Sequence, residues 1–320
     1  MNPGMTARRL AVKAARLFKP LFGAAVMLSV TRRCQCKCSR CAVNGGADGG
    51  PELTREEILK VLGEAAALGA REVSFFGGEP LLRPDLPALI AGARALGLRA
   101  ALTTNGLLLD EAMAKTLAAA GLGAAGVSLD DPSPEIHDAG RGVPGLWRKA
   151  ADGARALAAL GVRVDISFCA DRARLRDGRA AQMPALAASL GARLRILSPM
   201  RAGRWNDKPE EALEPGDIEV LRSLLSPGKS HWVIAPVDYP AAEFVCSSLD
   251  RWKVDITASG EVVACNYFPV PYGSVRAEPL AAIVERMWSS PLYLEHKGCS
   301  DCPLNDPAFR ARWTDLFEKI

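Results

Sequence analysis

From residue 24 to about 199, short runs of apolar and β-branched residues alternate with longer Ala- and Leu-rich stretches of helical period. The short runs predict strands over 24–30, 72–76, 100–104, 126–130, 163–168 and 193–197. The longer stretches predict helices near 54–69, 85–97, 109–121, 144–160 and 179–190. Thr54-Arg55-Glu56-Glu57 reads as a capping box that opens the first helix. Gly69, Gly97, Gly121, Gly161 and Gly191 fall where helix ends want a left-handed cap. Such a regular βα period argues for parallel strands joined by crossover helices. Six units make either a partial barrel or a doubly wound sheet.

Beyond this region the rhythm breaks. Residues 200–240 carry Pro209, Pro215, Pro227, Pro236 and Pro240 and one helical stretch near 216–225, so they read as a connector. From 241 to 320 the chain reads as a small cysteine-bearing module. Its runs 254–257 and 261–264 flank Ala258-Ser259-Gly260 as a hairpin, and a helix near 278–288 follows. At the other end, Arg8, Arg9, Lys13 and Arg16 lie in a basic amphipathic helix over 6–18, within an N-terminal segment 1–23. That helix is read as packing across the bottom of the domain, with membrane-surface or substrate docking as the alternative. The apolar run 21–30 is ten residues long, too short to span a bilayer.

Composition narrows the class. Hydrophobic residues are 49% and charged residues 24% of 320, which excludes a disordered or fibrous chain. A net charge of +4 lacks the basic excess of a phosphate-tracking surface, so no nucleic-acid partner is expected. Nine cysteines, at 34, 36, 38, 41, 169, 246, 265, 299 and 302, are odd in number and clustered. A secreted disulfide scaffold is short and evenly paired, whereas close pairs in a long chain point to metal ligation by reduced thiols. A cytoplasmic setting follows.

Four thiols in eight residues directly after the first strand could bind zinc or an iron–sulfur cluster. Cys34, Cys38 and Cys41 have the C-x3-C-x2-C spacing, and Gly77-Gly78-Glu79-Pro80 follows the second strand. In that order and register the chain resembles the radical SAM (S-adenosylmethionine) superfamily. The resemblance implies a partial (β/α)6 barrel in which Cys34, Cys38 and Cys41 hold a [4Fe–4S] cluster that binds SAM. Reductive cleavage of SAM would then yield a 5′-deoxyadenosyl radical that abstracts a substrate hydrogen. It further implies that Gly77, Gly78 and Glu79 meet the SAM amino end, with Asn105, Ser128, Asp130 and Arg141 as further SAM contacts. Arg40 replaces the aromatic residue usual before the third cysteine; its planar guanidinium can stack on adenine. Cys36 is extra to the motif and is read as a bystander.

Cys246, Gly260, Cys265 and the Cys299–Cys302 pair resemble a shortened SPASM ("twitch") module with one auxiliary [4Fe–4S] cluster for electron transfer or wall support. By spacing alone an all-thiolate zinc site fits equally well. Within the family three chemistries compete. The cysteine layout looks like that of the aminocyclitol dehydrogenases. Peptide modification is the second; the twenty-odd residues before the first strand weigh against it. Cofactor or lipid-precursor chemistry is the third. A redox-neutral epimerase would need a hydrogen donor, for which Cys169 beyond the fifth strand is the candidate; otherwise Cys169 is a small buried residue. A flavodoxin- or ferredoxin-like electron donor and a small-molecule or peptide substrate are the expected partners. His137 is read as structural, and Trp205, Trp232, Trp252, Tyr239 and Tyr267 as core or pocket wall. A metal-stabilised scaffold or sensor without catalysis is the non-enzymatic alternative.

Overall fold

A computed structural model of the chain describes residues 24–46, 50–206, 208, 210, 212–232, 246–296 and 302–317. The helix expected over 6–18, Tyr239 and Cys299 lie outside the described residues.

Strand β1, Ala25–Thr31, sends Val26, Leu28 and Val30 into the core, alternate residues on one face as strand geometry requires. The chain then runs through helix α1, Arg55–Ala67, strand β2, Glu72–Gly77, helix α2, Leu86–Ala95, and strand β3, Arg99–Thr104. Helix α3, Glu111–Ala119, leads to β4, Leu122–Ser128; α4, Pro134–Arg141, and α5, Leu146–Ala159, lead to β5, Arg163–Cys169. Helices α6, Arg172–Arg176, and α7, Met183–Ser189, precede β6, Arg193–Leu197. The capping box at α1 is present, with Thr54 N donating to Glu57 Oε2 at 2.8 Å and Glu57 N to Thr54 Oγ1 at 3.2 Å. All five expected cap glycines take positive φ.

Helix α8, Pro215–Ser223, and a three-residue strand β7, Ser230–Trp232, follow. Strands β8, Lys253–Ile256, β9, Glu261–Cys265, and β10, Phe268–Ser274, precede helix α9, Leu280–Trp288. One ten-stranded sheet results, in the order β10-β9-β8-β1-β2-β3-β4-β5-β6-β7. From β8 to β7 every neighbouring pair is parallel; β8–β9 and β9–β10 are antiparallel. The architecture is the α/β partial barrel that the family resemblance implied, one of the two forms the βα period left open. The C-terminal hairpin continues the sheet through β8 alongside β1 rather than standing apart.

Several elements depart from the sequence pattern for physical reasons. Strand β4 begins at Leu122, not 126, because Gly123, Ala124 and Ala125 lack β-forming side chains and are held extended by β3 and β5. Helix α4 buries only His137, so it carries no apolar stripe to read. The stretch 179–190 is a 3-10 turn, Arg179–Gln182, followed by α7, because Pro184 fits only a first helical turn. Strand β10 contains Pro269 and Pro271, which mask a strand in the sequence but are tolerated on this edge strand. Among the described residues no helix is long and apolar enough to cross a membrane.

Candidate active site

The C-terminal ends of the parallel strands surround a cavity of about 250 Å³. In parallel α/β folds this end carries the chemistry. Cys34, Cys38 and Cys41 line it from the loop after β1, and Asn105, Asp130 and Cys169 line it from the ends of β3, β4 and β5.

The cysteine loop is held from three sides. Gly78 N donates to Thr31 O and Glu79 N to Arg33 O, both at 2.8 Å. A Cβ on Gly78 would stand 2.2 Å from Arg33 O, and one on Gly77 (φ +146°) 2.2 Å from Thr31 O, so only glycine fits either place. From α4, the carbonyls of Arg141 and Gly140 accept the N–H groups of Lys37 (3.0 Å) and Ser39 (3.3 Å). From the turn after β6, Arg204 donates its backbone N–H to Cys41 O at 3.0 Å, Nη1 to Cys38 O at 2.8 Å and Nη2 to Gly45 O at 3.1 Å.

Gly77 and Gly78 line the cavity, while Glu79 sits behind them, fully buried. Its carboxylate accepts Thr104 Oγ1 at 2.6 Å, Asn105 N at 2.7 Å and Leu81 N at 3.0 Å. Burial pushes the Glu79 carboxyl up, and these hydrogen bonds oppose the shift.

The sulfur chemistry is graded. The Cys36 thiol lies between its neighbours and hydrogen-bonds to both, which brings Cys34 and Cys38 down to about 7 and drives Cys36 itself upward. Cys41 Sγ accepts Gly45 N at 3.1 Å, and Asn105 Nδ2 reaches Cys34 Sγ at 3.9 Å. Among the described residues no three His, Cys, Asp or Glu side chains gather tightly enough for one metal ion. Soft thiol donors spread along one cavity wall fit a multi-iron cluster better than a single ion drawn to one point.

On the opposite wall Arg141 binds Asp130 Oδ2 through Nε at 2.8 Å and Nη2 at 2.7 Å. Burial alone would raise Asp130; the Arg141 charge overrides it and holds the carboxyl below its ordinary value. His137 Nδ1 accepts the Asp130 backbone N–H at 3.1 Å, and burial, then Arg141, lowers the imidazole to about 4. Ser128 and Cys169 line the same space, and burial pushes the Cys169 thiol up to about 12.

Arg40 is not turned to a free face. Its guanidinium pairs with buried Asp171 and lies 5.4 Å from the Trp205 ring, so an arginine–tryptophan pair occupies the place of the usual single aromatic. Trp205 and Tyr267 do form cavity wall. Arg204 and Asp171 carried no sequence signal, because each acts on a loop more than a hundred residues distant.

Among the described C-terminal cysteines, Cys265 lies near both Tyr267 and Cys246. Cys246 is pushed up to about 12 by burial and by nearby Cys265, and its Sγ accepts Leu249 N at 3.5 Å. Cys302 is buried. Asp255 ties the two cysteine turns together: Lys253 Nζ donates to it at 2.8 Å, Asn266 N at 3.3 Å and Ser248 Oγ at 3.5 Å.

A family model described as the radical SAM superfamily matches residues 28–171. PqqA peptide cyclase of Streptomyces rochei is 31% identical over 261 residues, 76% of this chain and 69% of that protein. Fe-coproporphyrin III synthase of Methanosarcina barkeri is 38% identical over 153 residues, 48% of this chain but only 38% of that protein. The chain belongs to the radical SAM superfamily, and it is an enzyme of that class, whose cofactors are SAM and a [4Fe–4S] cluster. Solved structures share its fold. Streptococcus suis SuiB bound to S-adenosylmethionine matches with a TM-score of 0.69 at 17% identity, covering 92% of this chain and 72% of that one. anSMEcpe with bound AdoMet and Cp18Cys peptide matches with a TM-score of 0.64 at 17% identity, covering 92% and 96%.

Proposed function

We propose that this enzyme removes a hydrogen atom from a peptide, or a natural product of peptide origin, as the first step in modifying it. The observation that carries the reading is the single cavity shared by Cys34, Cys38 and Cys41 with polar groups from the ends of β3, β4 and β5. In this reading the three thiolates hold the [4Fe–4S] cluster, which with SAM bound supplies the 5′-deoxyadenosyl radical. The chain's own residues bind, orient and exclude water. Gly77 and Gly78 leave room at the cavity edge for the SAM amino end, with Glu79 fixing the strand ends behind them. Asn105, Ser128, Asp130 and Arg141 supply polar contacts along the cofactor. The peptide class is supported by the relatives named as PqqA peptide cyclases.

Cys246, Cys265 and Cys302, together with Cys299, are assigned to an auxiliary [4Fe–4S] cluster. Support comes from the nearness of Cys246 to Cys265 and from Tyr267, which runs from that turn to the cavity wall. A flavodoxin- or ferredoxin-like protein would deliver electrons, and the reduced thiols fit the cytoplasm. Dehydrogenation through the auxiliary cluster is the weaker alternative. Redox-neutral epimerisation has one specific observation in its favour: Cys169 lines the cavity, and burial keeps its S–H bond intact.

The test is anaerobic reconstitution followed by iron analysis and incubation with SAM and reductant. About eight irons per chain support two cubane clusters, and 5′-deoxyadenosine must form and vanish in Cys38→Ala. Deuterated candidate peptides should pass deuterium into 5′-deoxyadenosine. Cys169→Ala with product intact would remove the epimerase reading. A reconstituted protein that cleaves no SAM would remove the proposal.

A further inference from the structure

Alternate residues of the parallel strands face the inside of the barrel. Arg195 and Leu197 share that face of β6, and Leu197 lines the cavity. Across the register, Arg195 stands beside Ser167, and Gly126 beside Thr103. A Cβ on Gly126 would lie 3.0 Å from Ser167 Oγ, 3.0 Å from Arg195 Nη1 and 3.6 Å from Thr103 Oγ1. Polar groups from three strands thus converge on the notch this glycine leaves open. Ser167 and Thr103 also line the cavity that holds the three motif cysteines.

Two independent observations point to a ligand there. Ser167 is 2% exposed and its Oγ has no hydrogen-bond partner. Buried hydroxyls in folded proteins are hydrogen-bonded, so a working enzyme is expected to satisfy this one. The second observation is charge. Around the barrel interior Arg141 pairs with Asp130, Arg174 with Asp131 and Asp171, Arg193 with Asp165, and Lys253 with Asp255. The Arg195 guanidinium, half-buried among them, makes no hydrogen bond or ion pair among the described residues. Its charge is felt by Tyr267 of the cavity wall.

We propose that the Gly126 notch binds a carboxylate of the substrate, with the Arg195 guanidinium as its fork and the Ser167 and Thr103 hydroxyls completing the set. Arginine presents parallel N–H donors that match the two oxygens of a carboxylate. Because Gly126 carries no side chain, the Arg195 guanidinium and the Ser167 hydroxyl stand together against the strand, where one carboxylate can meet both. For a peptide this is an acidic side chain or the C-terminal carboxyl; this half of the proposal rests on the enzymatic reading above.

The experiment is a ¹⁹F NMR titration of the reconstituted enzyme with fluoroacetate, with 2-fluoroethanol as the uncharged control, each with and without saturating SAM. Fluoroacetate should bind saturably and fluoroethanol should not. Arg195→Gln should weaken fluoroacetate binding at least tenfold, and Arg195→Lys should restore part of it. Gly126→Ala, which fills the notch and keeps the charge, should weaken it similarly. Far-UV spectra and iron content matched to wild type separate lost binding from lost fold. Unchanged binding in both Arg195→Gln and Gly126→Ala overturns the proposal. Displacement of fluoroacetate by SAM overturns it as well, because the site would then hold the cofactor's own carboxylate. Wild-type enzyme that cleaves SAM but binds no fluoroacetate overturns the notch alone; fluoroacetate binding without SAM cleavage supports the notch and overturns the radical reading.

Discussion

Glu79 Oε2 accepts the backbone N–H of Asn105 at 2.7 Å, which fastens the end of β2 to the end of β3 behind the cavity. The carboxylate also takes two more donors and is fully shielded from water. The acidic member of the glycine motif is thereby a brace for two strand ends, with the two glycines at the cavity surface.

Gly78→Ala should break that arrangement, since its Cβ would fall 2.2 Å from a backbone carbonyl of the cysteine loop. A loss of about 3 kcal/mol, the upper end for overpacking, is expected because the obstacle is backbone, with iron content falling in parallel. Gly123→Ala is the matched control: its Cβ would sit 3.4 Å from Ala100 O on an exposed part of β4. It should be neutral or stabilise by roughly 0.4–1 kcal/mol through the unfolded chain. Urea midpoints of the two variants decide the point.

Arg204→Ala removes the two side-chain hydrogen bonds to Cys38 O and Gly45 O. Each charge-assisted bond contributes about 1.5–3 kcal/mol, so the cysteine loop should open more readily. Iron should be stripped by a chelator at least several-fold faster than from wild type. Equal stripping rates would show that the loop does not depend on this arm.

With iron withheld, Cys34 and Cys38 should alkylate with midpoints near pH 7, because Cys36 hydrogen-bonds to their thiolates. Cys36→Ala should move both midpoints upward toward an ordinary thiol. Cys169, held up to about 12, should stay unreactive across the neutral range. Mass spectrometry after pulsed iodoacetamide reads each cysteine separately.

His137 carries a pH dependence of known sign. Its folded value of about 4 lies below the ordinary 6.5, so the unfolded chain binds the extra proton between these limits. The stabilising contribution is complete above about pH 6.5 and is lost as pH falls toward 4, by about 3 kcal/mol in all. His137→Gln should flatten the urea midpoint over this window relative to wild type; an equally steep variant would place the effect elsewhere.

Asp171→Ala should cost far more than Arg40→Ala. Asp171 is 1% exposed, accepts from both Arg40 and Arg174 and caps α6 through the Arg174 backbone N–H, so its removal takes a partner from two arginines and the cap from a helix; Arg174 keeps Asp131, and a loss of about 2–3 kcal/mol is expected. Arg40→Ala leaves Asp171 paired with Arg174 and should cost about 1 kcal/mol or less. Thermal unfolding of both variants gives the comparison.

What could be read along the chain is what local physics encodes. The βα period, the capping box of α1, the cap glycines and the Cys34, Cys38, Cys41 and Gly77–Gly78 motifs each depend on neighbours within a few residues. Those features sufficed for the α/β class and for which end of the sheet bears the cysteines. Tertiary structure alone decided the rest. It extended Gly123–Ala125 into β4 and set β8 beside β1. It also brought Arg204 and Asp171 onto the cysteine loop and gathered Ser167, Arg195 and Thr103 around Gly126. Those relationships join residues far apart in sequence, and their energies exist only once strand register has placed the side chains together, so no local pattern can announce them.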